Sequence, residues 1–232
     1  MTIGVIIPTL NEEATLSSTL DSVSQARMDE VIIVDGGSQD RTCDIAEAYI
    51  KAHSSPRSQL LTASTGRACQ MNAGGISAQS DIIMFLHADT HLPQEARQRI
   101  EDAMRSGKYV GGRFDVQFGT DRGYAWLISR MMNWRSRWSG IFTGDQAIFV
   151  RQTAFRQLNG FSDMPLMEDI EFSSRLKQLG PVISLRAKVT TSFRRWEHHG
   201  PLRTILHMWT LRLLYWLGIS PHTLQQFYGT VR

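Results

Sequence analysis

Cysteine is almost missing from this chain: Cys43 and Cys69 are the two it holds in 232 residues. Two cysteines build no disulfide framework, and neither sits in a metal-type pairing, so a reducing compartment fits. No uninterrupted apolar run reaches the roughly 18–20 residues of a membrane-spanning helix. The N-terminus starts on a strand pattern rather than a basic stretch and apolar core, so no secretion signal is expected. Repeats, low-complexity tracts and linkers are also lacking. Acid is scarce at one end. From Arg186 to Arg232, seven Lys or Arg stand against Glu197 alone. A basic end suits an anionic partner, such as a nucleotide diphosphate, acidic lipid headgroups or nucleic acid, or is simply a solvated face. These features point to a cytoplasmic chain, soluble or peripheral on the inner face of the membrane.

What is present is an ordinary globular composition, 42% hydrophobic and 20% charged with a net charge of +3. The length suits one α/β domain, or one domain with a tail. Ile3 to Pro8 is a short apolar run, hence a buried strand, and Asn11, Glu12 and Glu13 then open a helix carrying Leu16, Leu20 and Val23. Acids there also compensate a helix dipole. Val31 to Val34 is a second strand, ending at Asp35-Gly36-Gly37-Ser38, and Asp40 and Thr42 start the next helix. Alternating strands and helices imply a mostly parallel sheet with right-handed crossovers. Leu60-Leu61 reads as a third strand, followed by a Gly-rich loop from Gly66 to Gly75 that matches neither a P-loop nor a dinucleotide fingerprint.

Ile82 to Leu86 is a buried strand running straight into His87-Ala88-Asp89. Ligands of open α/β sheets gather where strands end, so Asp89 and Asp35 are placed to serve one. Arg67 is suited to a diphosphate, because a guanidinium takes phosphate oxygens in pairs. Pro93 to Met104 reads as a helix, and Val110 to Phe118 as a strand kinked at Gly111 and Gly112. Gly123 to Trp138 interleaves Tyr124, Trp126, Trp134 and Trp138 with Arg130, Arg135 and Arg137. That mixture suits a membrane interface, a sugar or single-stranded nucleic acid, and core packing explains the aromatics equally well. Met167 to about Leu179 reads as a helix, and Val182 to Leu185 and Lys188 to Phe193 as strands. Leu202 to Leu217 forms a helix of unusual apolarity, with Arg203, His207 and Thr210 on one narrow polar stripe and Arg212 nearly opposite.

Taken in order, Pro8-Thr9-Leu10-Asn11-Glu12, Val34 to Ser38, Gly66 to Gly74, His87-Ala88-Asp89, Thr143-Gly144-Asp145, Glu168-Asp169 and Arg194-Arg195-Trp196 resemble the family 2 glycosyltransferases of GT-A fold. Within that family the chain is most similar to a small bacterial subgroup whose metal motif reads His-Ala-Asp. The resemblance implies a nucleotide-diphospho-sugar transferase fold, an α/β sheet flanked by helices. Residues 1–200 would form the transferase domain and 201–232 an apolar helical tail on the domain or the membrane surface. It implies that Pro8, Thr9, Leu10, Asn11, Glu12, Asp35 and Gly36 hold the base and ribose, and that Gly66, Arg67 and Asn72 line the nucleotide site. His87 and Ala88 would flank the donor, and Asp89 would ligate Mn²⁺ or Mg²⁺ at the diphosphate. Gly144 would border the acceptor, Glu168 would lie beside the general base Asp169, and Arg195 and Trp196 would close the site. Two positions depart from the pattern: His87 replaces the usual first acid, and Ser192 stands where a Gln is customary. His198 is a candidate further metal ligand, since imidazole binds Mn²⁺-like ions, and a surface His pair with His199 is the plainer reading.

The chemistry implied is an inverting, metal-dependent hexosyl transfer from a nucleotide-diphosphate sugar to an acceptor hydroxyl, with a lipid-linked acceptor in view. Nucleic acid is not expected as a partner; inner-membrane contact and a homodimer are. Two alternatives stand beside this reading: a nucleotidyltransferase that makes the activated sugar, and a non-catalytic membrane-surface binding protein. The first normally has a Gly-rich, Lys/Arg-containing loop after its first strand, where this chain has Thr9-Leu10-Asn11-Glu12.

Overall fold

The computed structural model describes residues 1–53, 57–120, 122–193, 196 and 200–228. Apolar runs buried on both faces make the first strands, and helices on the sheet faces return the chain in the same direction. The order is β1 (Ile3–Thr9), α1 (Leu16–Gln25), β2 (Glu30–Asp35), α2 (Thr42–Ala52), β3 (Gln59–Thr62), α3 (Arg67–Ser77) and β4 (Ile82–Phe85). β5 (Thr90–His91), α4 (Ala96–Met104), β6 (Gly111–Phe118), α5 (Gly123–Ser139), β7 (Ile148–Arg151), α6 (Gln152–Gln157), α7 (Glu168–Leu179) and β8 (Val182–Thr191) complete the body. α8 (Pro201–Trp216) and α9 (Pro221–Tyr228) follow.

One eight-stranded sheet runs β3-β2-β1-β4-β7-β6-β8-β5. β1 pairs in parallel with both β2 and β4, and β6 with β8, whereas β7 lies antiparallel to β4 and to β6. The mostly parallel α/β architecture expected from the sequence is therefore present, with β7 and the short β5 reversed. The chain crosses from one side of β1 to the other between β3 and β4, which opens a crevice at the strand ends. One core cluster joins α1 and α4 to the sheet through Ile7, Leu20, Met84 and Ile100. A second, on the opposite face, stacks Phe85, Phe155, Phe161 and Phe172. Full burial of each such side chain is worth about 1.5–3 kcal/mol.

Several local expectations are corrected. The stretch from Gly66 to Gly75 is not a loop: α3 runs through it. Its glycines serve close packing, since a Cβ on Gly74 would stand 2.5 Å from Ile6 and one on Gly75 2.4 Å from Phe155. Asn11, Glu12 and Glu13 do not open α1, because their backbone N–H groups donate instead to Ser38, Thr42 and Asp40 across the next loop. α4 starts at Ala96 rather than Pro93. β6 shifts register between Phe114 and Asp115, not at Gly111 and Gly112. There the glycines let neighbouring strands close in, and a Cβ on Gly112 would meet the Ile183 carbonyl at 2.3 Å. The two strands expected after residue 182 are one, β8, whose pairing jumps from Leu185 to Lys188.

The tail helices pack by Leu211 and Leu224 onto Met167 and Ile170. Away from that seam α8 turns Leu206, Trp209, Leu213 and Trp216 to solvent, and α5 turns out Trp126, Trp134 and Trp138. Among the described residues no helix is long and apolar enough to cross a membrane.

Candidate functional site

The C-terminal ends of β1, β2 and β4 lie side by side, Thr9 opposite Asp35 and Ile6 opposite Phe85. Asp35 sits where β2 stops. Its carboxylate accepts from the Gly37 and Ser38 N–H groups at 2.8 Å each, from Ser38 Oγ at 2.5 Å and from Thr9 Oγ1 at 3.2 Å. Burial alone would raise its pKa, but the Ser38, Gly37 and Thr9 hydrogen bonds together outweigh burial and hold the carboxyl below its ordinary value. Gln70 Nε2 donates to the carbonyls of Thr9 (2.7 Å) and Val34 (2.8 Å), tying β1 to β2 from α3. Gly36 has no room for a side chain, because a Cβ would stand 3.0 Å from the Gln70 amide. Asn11, at φ 54°, accepts from Gln39 N–H at 2.8 Å. Pro8, Thr9, Asn11, Glu12, Asp35 and Gly36 thus share one rigid floor, with half-buried Leu10 in the same turn.

The opposite wall comes from later in the chain. β7 runs antiparallel to β4, which sets Ile148 beside Phe85 and brings the turn Gly144–Gln146 over His87. Gly144 is needed there: a Cβ would press into the His87 ring at 2.5 Å. Met167, buried and at φ 69°, makes the tight entry into α7 that delivers Glu168 and Asp169. Such a backbone is uncommon for a side-chain-bearing residue. Asp169 Oδ2 accepts from Gly144 N–H at 2.8 Å and Oδ1 from Ile170 N–H at 2.7 Å, so the carboxylate is oriented from both sides. Pro8, His87, Gly144, Glu168 and Asp169 line one crevice.

The charges in this crevice act on one another. Burial pushes the Glu168 pKa up to about 7, with neighbouring Asp169 adding and Arg67 opposing. Arg67 follows Gly66 (φ 143°) at the start of α3. Crowding by protein atoms would lower its pKa, although its side chain keeps an open face; Glu168, Tyr228, Asp169 and Asp89 outweigh this and raise it. Burial, then Arg67, lowers the His87 pKa against Asp89, Asp145 and Asp169. Among the described residues no three His, Cys, Asp or Glu form a group able to hold a metal ion. The donor set fits a hard cation brought in by phosphate oxygens. Mg²⁺-type ions commonly take one or two carboxylates and the rest from substrate and water, and Asp89 supplies one carboxylate at the β4 end.

Asn72 faces elsewhere, its amide clasping Phe161 through N–H and C=O at 2.8 Å each. Ala88 is buried and its carbonyl accepts from Thr19 at 2.8 Å. Trp196 packs on Phe118 and Phe193. Arg195 and His198 lie outside the described residues. Sequence reasoning passed over Gln70, Asp145, Arg135 and Arg212 as site residues. Burial pushes the Arg135 pKa down to about 10, helped by Arg212 and opposed by Asp145 and Asp169, so both arginines reach the crevice electrostatically.

The model of Glycosyl transferase family 2 matches residues 4–159. A PGL/p-HBAD biosynthesis glycosyltransferase of Mycobacterium bovis is 31% identical over 152 residues, 64% of this chain and 54% of the relative. An undecaprenyl-phosphate 4-deoxy-4-formamido-L-arabinose transferase of Aeromonas hydrophila is 33% identical over 116 residues, 47% of this chain and 36% of the relative. The chain thus spans about half the length, or less, of these curated relatives. Among solved structures, S. aureus TarS 1-349 in complex with UDP aligns with a TM-score of 0.69 at 19% identity, over 83% of this chain and 60% of that one. Mannosyltransferase PcManGT from Pyrobaculum calidifontis, in complex with GDP-Man and Mn²⁺, aligns with a TM-score of 0.63 at 21% identity, over 81% and 56%. These likenesses establish the GT-A glycosyltransferase fold, and the family match covers well over half of the sequence. The chain belongs to glycosyl transferase family 2.

Proposed function

We propose that this glycosyltransferase moves a hexose from a nucleotide-diphosphate donor to an acceptor hydroxyl in one inverting displacement, with Asp169 as general base. One observation carries the reading: Asp169 is fixed by two backbone hydrogen bonds in the crevice that also holds His87 and Glu168, within electrostatic reach of Arg67 and Asp89. The base and ribose rest on Pro8 to Glu12, Asp35 and Gly36. Arg67 takes diphosphate oxygens. Asp89, with His87, would hold Mn²⁺ or Mg²⁺. When bound, that cation neutralises charge on the diphosphate leaving group. The acceptor oxygen bonds to the anomeric carbon as the carbon–phosphate-oxygen bond breaks. Its proton passes to Asp169, and the nucleotide diphosphate departs. Support for the donor class comes from the UDP and GDP-Man complexes of the structural neighbours, and for the cation from the Mn²⁺ in the second.

The proposed acceptor is lipid-linked and met at the inner membrane face, with residues 201–232 as the docking tail. The apolar faces of α5 and α8 and the undecaprenyl-phosphate relative support this. UDP or GDP binding with Mn²⁺, followed by donor hydrolysis, tests the centre. Asp89→Ala should lose metal-dependent nucleotide binding, and Asp169→Asn should keep binding and lose turnover. Equal, metal-independent behaviour of all three proteins would overturn it. Vesicle flotation tests the tail, and a doubled mass with no flotation would assign that face to a homodimer instead.

A further inference from the structure

Beyond the carboxylate pair lies a second set of charges that the transfer reading leaves unused. Arg135 on α5 and Arg212 on α8 approach from different helices. Nε and Nη2 of Arg135 and Nε of Arg212 are buried and make no hydrogen bond within the protein, and Asp145 Oδ1 is likewise buried without a partner. Arg113 is better paired: its Nη1 and Nη2 donate to the Phe114 and Asn133 carbonyls at 3.0 Å each and to Asp115, and its Nε alone is left without a partner. Arg137 completes that network with two 2.7 Å bonds to Asp115.

Two guanidinium groups held close with unspent donors repel each other, and this repulsion is the second cause, after burial, of the low Arg135 pKa. An anion accepting from both relieves it. A guanidinium fork matches two oxygens of a phosphate. The position is informative. Arg67 acts on Glu168, Asp169 and Asp89, whereas Arg135 acts on Asp145 and Asp169. Both basic groups act on Asp169. The Arg135 side is also the side of the exposed apolar helices.

We propose that Arg135 and Arg212 form an acceptor subsite for the phosphate of a hydroxyl-bearing phosphate ester, which presents that hydroxyl to Asp169. The proposal rests on the transferase reading and names its acceptor class. The phosphate is a handle; the bond changes remain those given above.

Calorimetric titration of the full chain, with UDP and Mg²⁺ saturating, tests it. Inorganic phosphate and glycerol 3-phosphate are the soluble probes. Phosphatidylcholine vesicles with or without phosphatidylglycerol probe the lipid source. Charge-assisted hydrogen bonds of this kind predict that Arg135→Gln and Arg212→Gln each weaken the phosphate probe about tenfold or more. UDP affinity should stay within about threefold of wild type. Arg130→Gln, on the exposed side of α5, should change neither. If Arg135→Gln fails to fold, Arg135→Lys keeps the charge without the fork and should show a smaller loss. Tighter binding of glycerol 3-phosphate than of phosphatidylglycerol vesicles assigns a soluble acceptor, and the reverse a lipid. Unchanged phosphate affinity in the variants overturns the subsite. UDP affinity falling in step with phosphate affinity also overturns it, by assigning both arginines to the donor. If wild type binds phosphate through these arginines but binds neither UDP nor GDP, the transferase mechanism fails while the anion pocket stands.

Discussion

The stretch before residue 105 and the stretch after it treat large apolar side chains in opposite ways. In the first, Met1 and Ile76 are the ones that stand well exposed. In the second, α5 exposes Trp134 (70%) and Trp138 (81%), and α8 exposes Leu206 (69%) and Trp216 (78%). Trp134 and Trp138 stack with planes 3° apart and Arg130 lies over Trp126, so this face is ordered as well as apolar. Large exposed apolar patches commonly mark interaction sites. The first stretch spends its residues on a polar floor at strand ends, and the second supplies the carboxylate wall and an apolar flank. The strand ends are therefore lined by polar groups, and the exposed apolar side chains are carried by α5 and α8.

Separate substitutions should resolve the crevice from the apolar flank. The largest effect is expected from Asp169→Asn, which should lower kcat about a thousandfold, in the range for loss of a general base, and leave vesicle binding intact. Asp89→Ala comes next, with Mg²⁺-dependent UDP affinity down by about tenfold or more, as befits a lost charged ligand. The double change Trp209→Ser, Trp216→Ser should weaken vesicle partition about tenfold while UDP affinity and thermal midpoint hold, because those indoles touch solvent rather than core. A matching loss of UDP affinity would merge crevice and flank into one site.

The smallest effect is a pH dependence at Glu168. Its folded pKa, about 7, lies above the ordinary 4.5. The folded state therefore holds a proton that the unfolded state has released, so this group's stabilisation is full below about 4.5 and is lost as pH rises through about 7. Glu168→Gln should remove that decline, which thermal midpoints measured across this window would show. A slope unchanged by the substitution would place the titration elsewhere.

The strands and the strand-end acids were readable in the sequence, because burial on both faces leaves unbroken apolar runs and a carboxylate after one stands out. Asp35 and Asp89 announced themselves this way, whereas Asp169, in the first turn of a helix, was marked by the family resemblance alone. α3 was not readable, since glycines placed for contact with Ile6 and Phe155 look the same in sequence as glycines placed for a turn. Gln70 gave no local signal, because its two acceptors sit on strands far away in sequence. Arg135 read as one of the basic residues interleaved with tryptophans, a mixture suited to a membrane interface, a sugar or single-stranded nucleic acid. Its burial depends on α8, contributed long after it in the chain, and periodicity carries no record of such meetings.

Met167 joins two stories. Its backbone sets the entry of α7, and its side chain is the surface on which Leu211 of α8 rests. A pull on the tail from outside would thus reach the footing of Glu168 and Asp169 through Met167 and Ile170. A shift of α8 against the body would therefore move the backbone that orients Asp169 without any change to Asp169 itself.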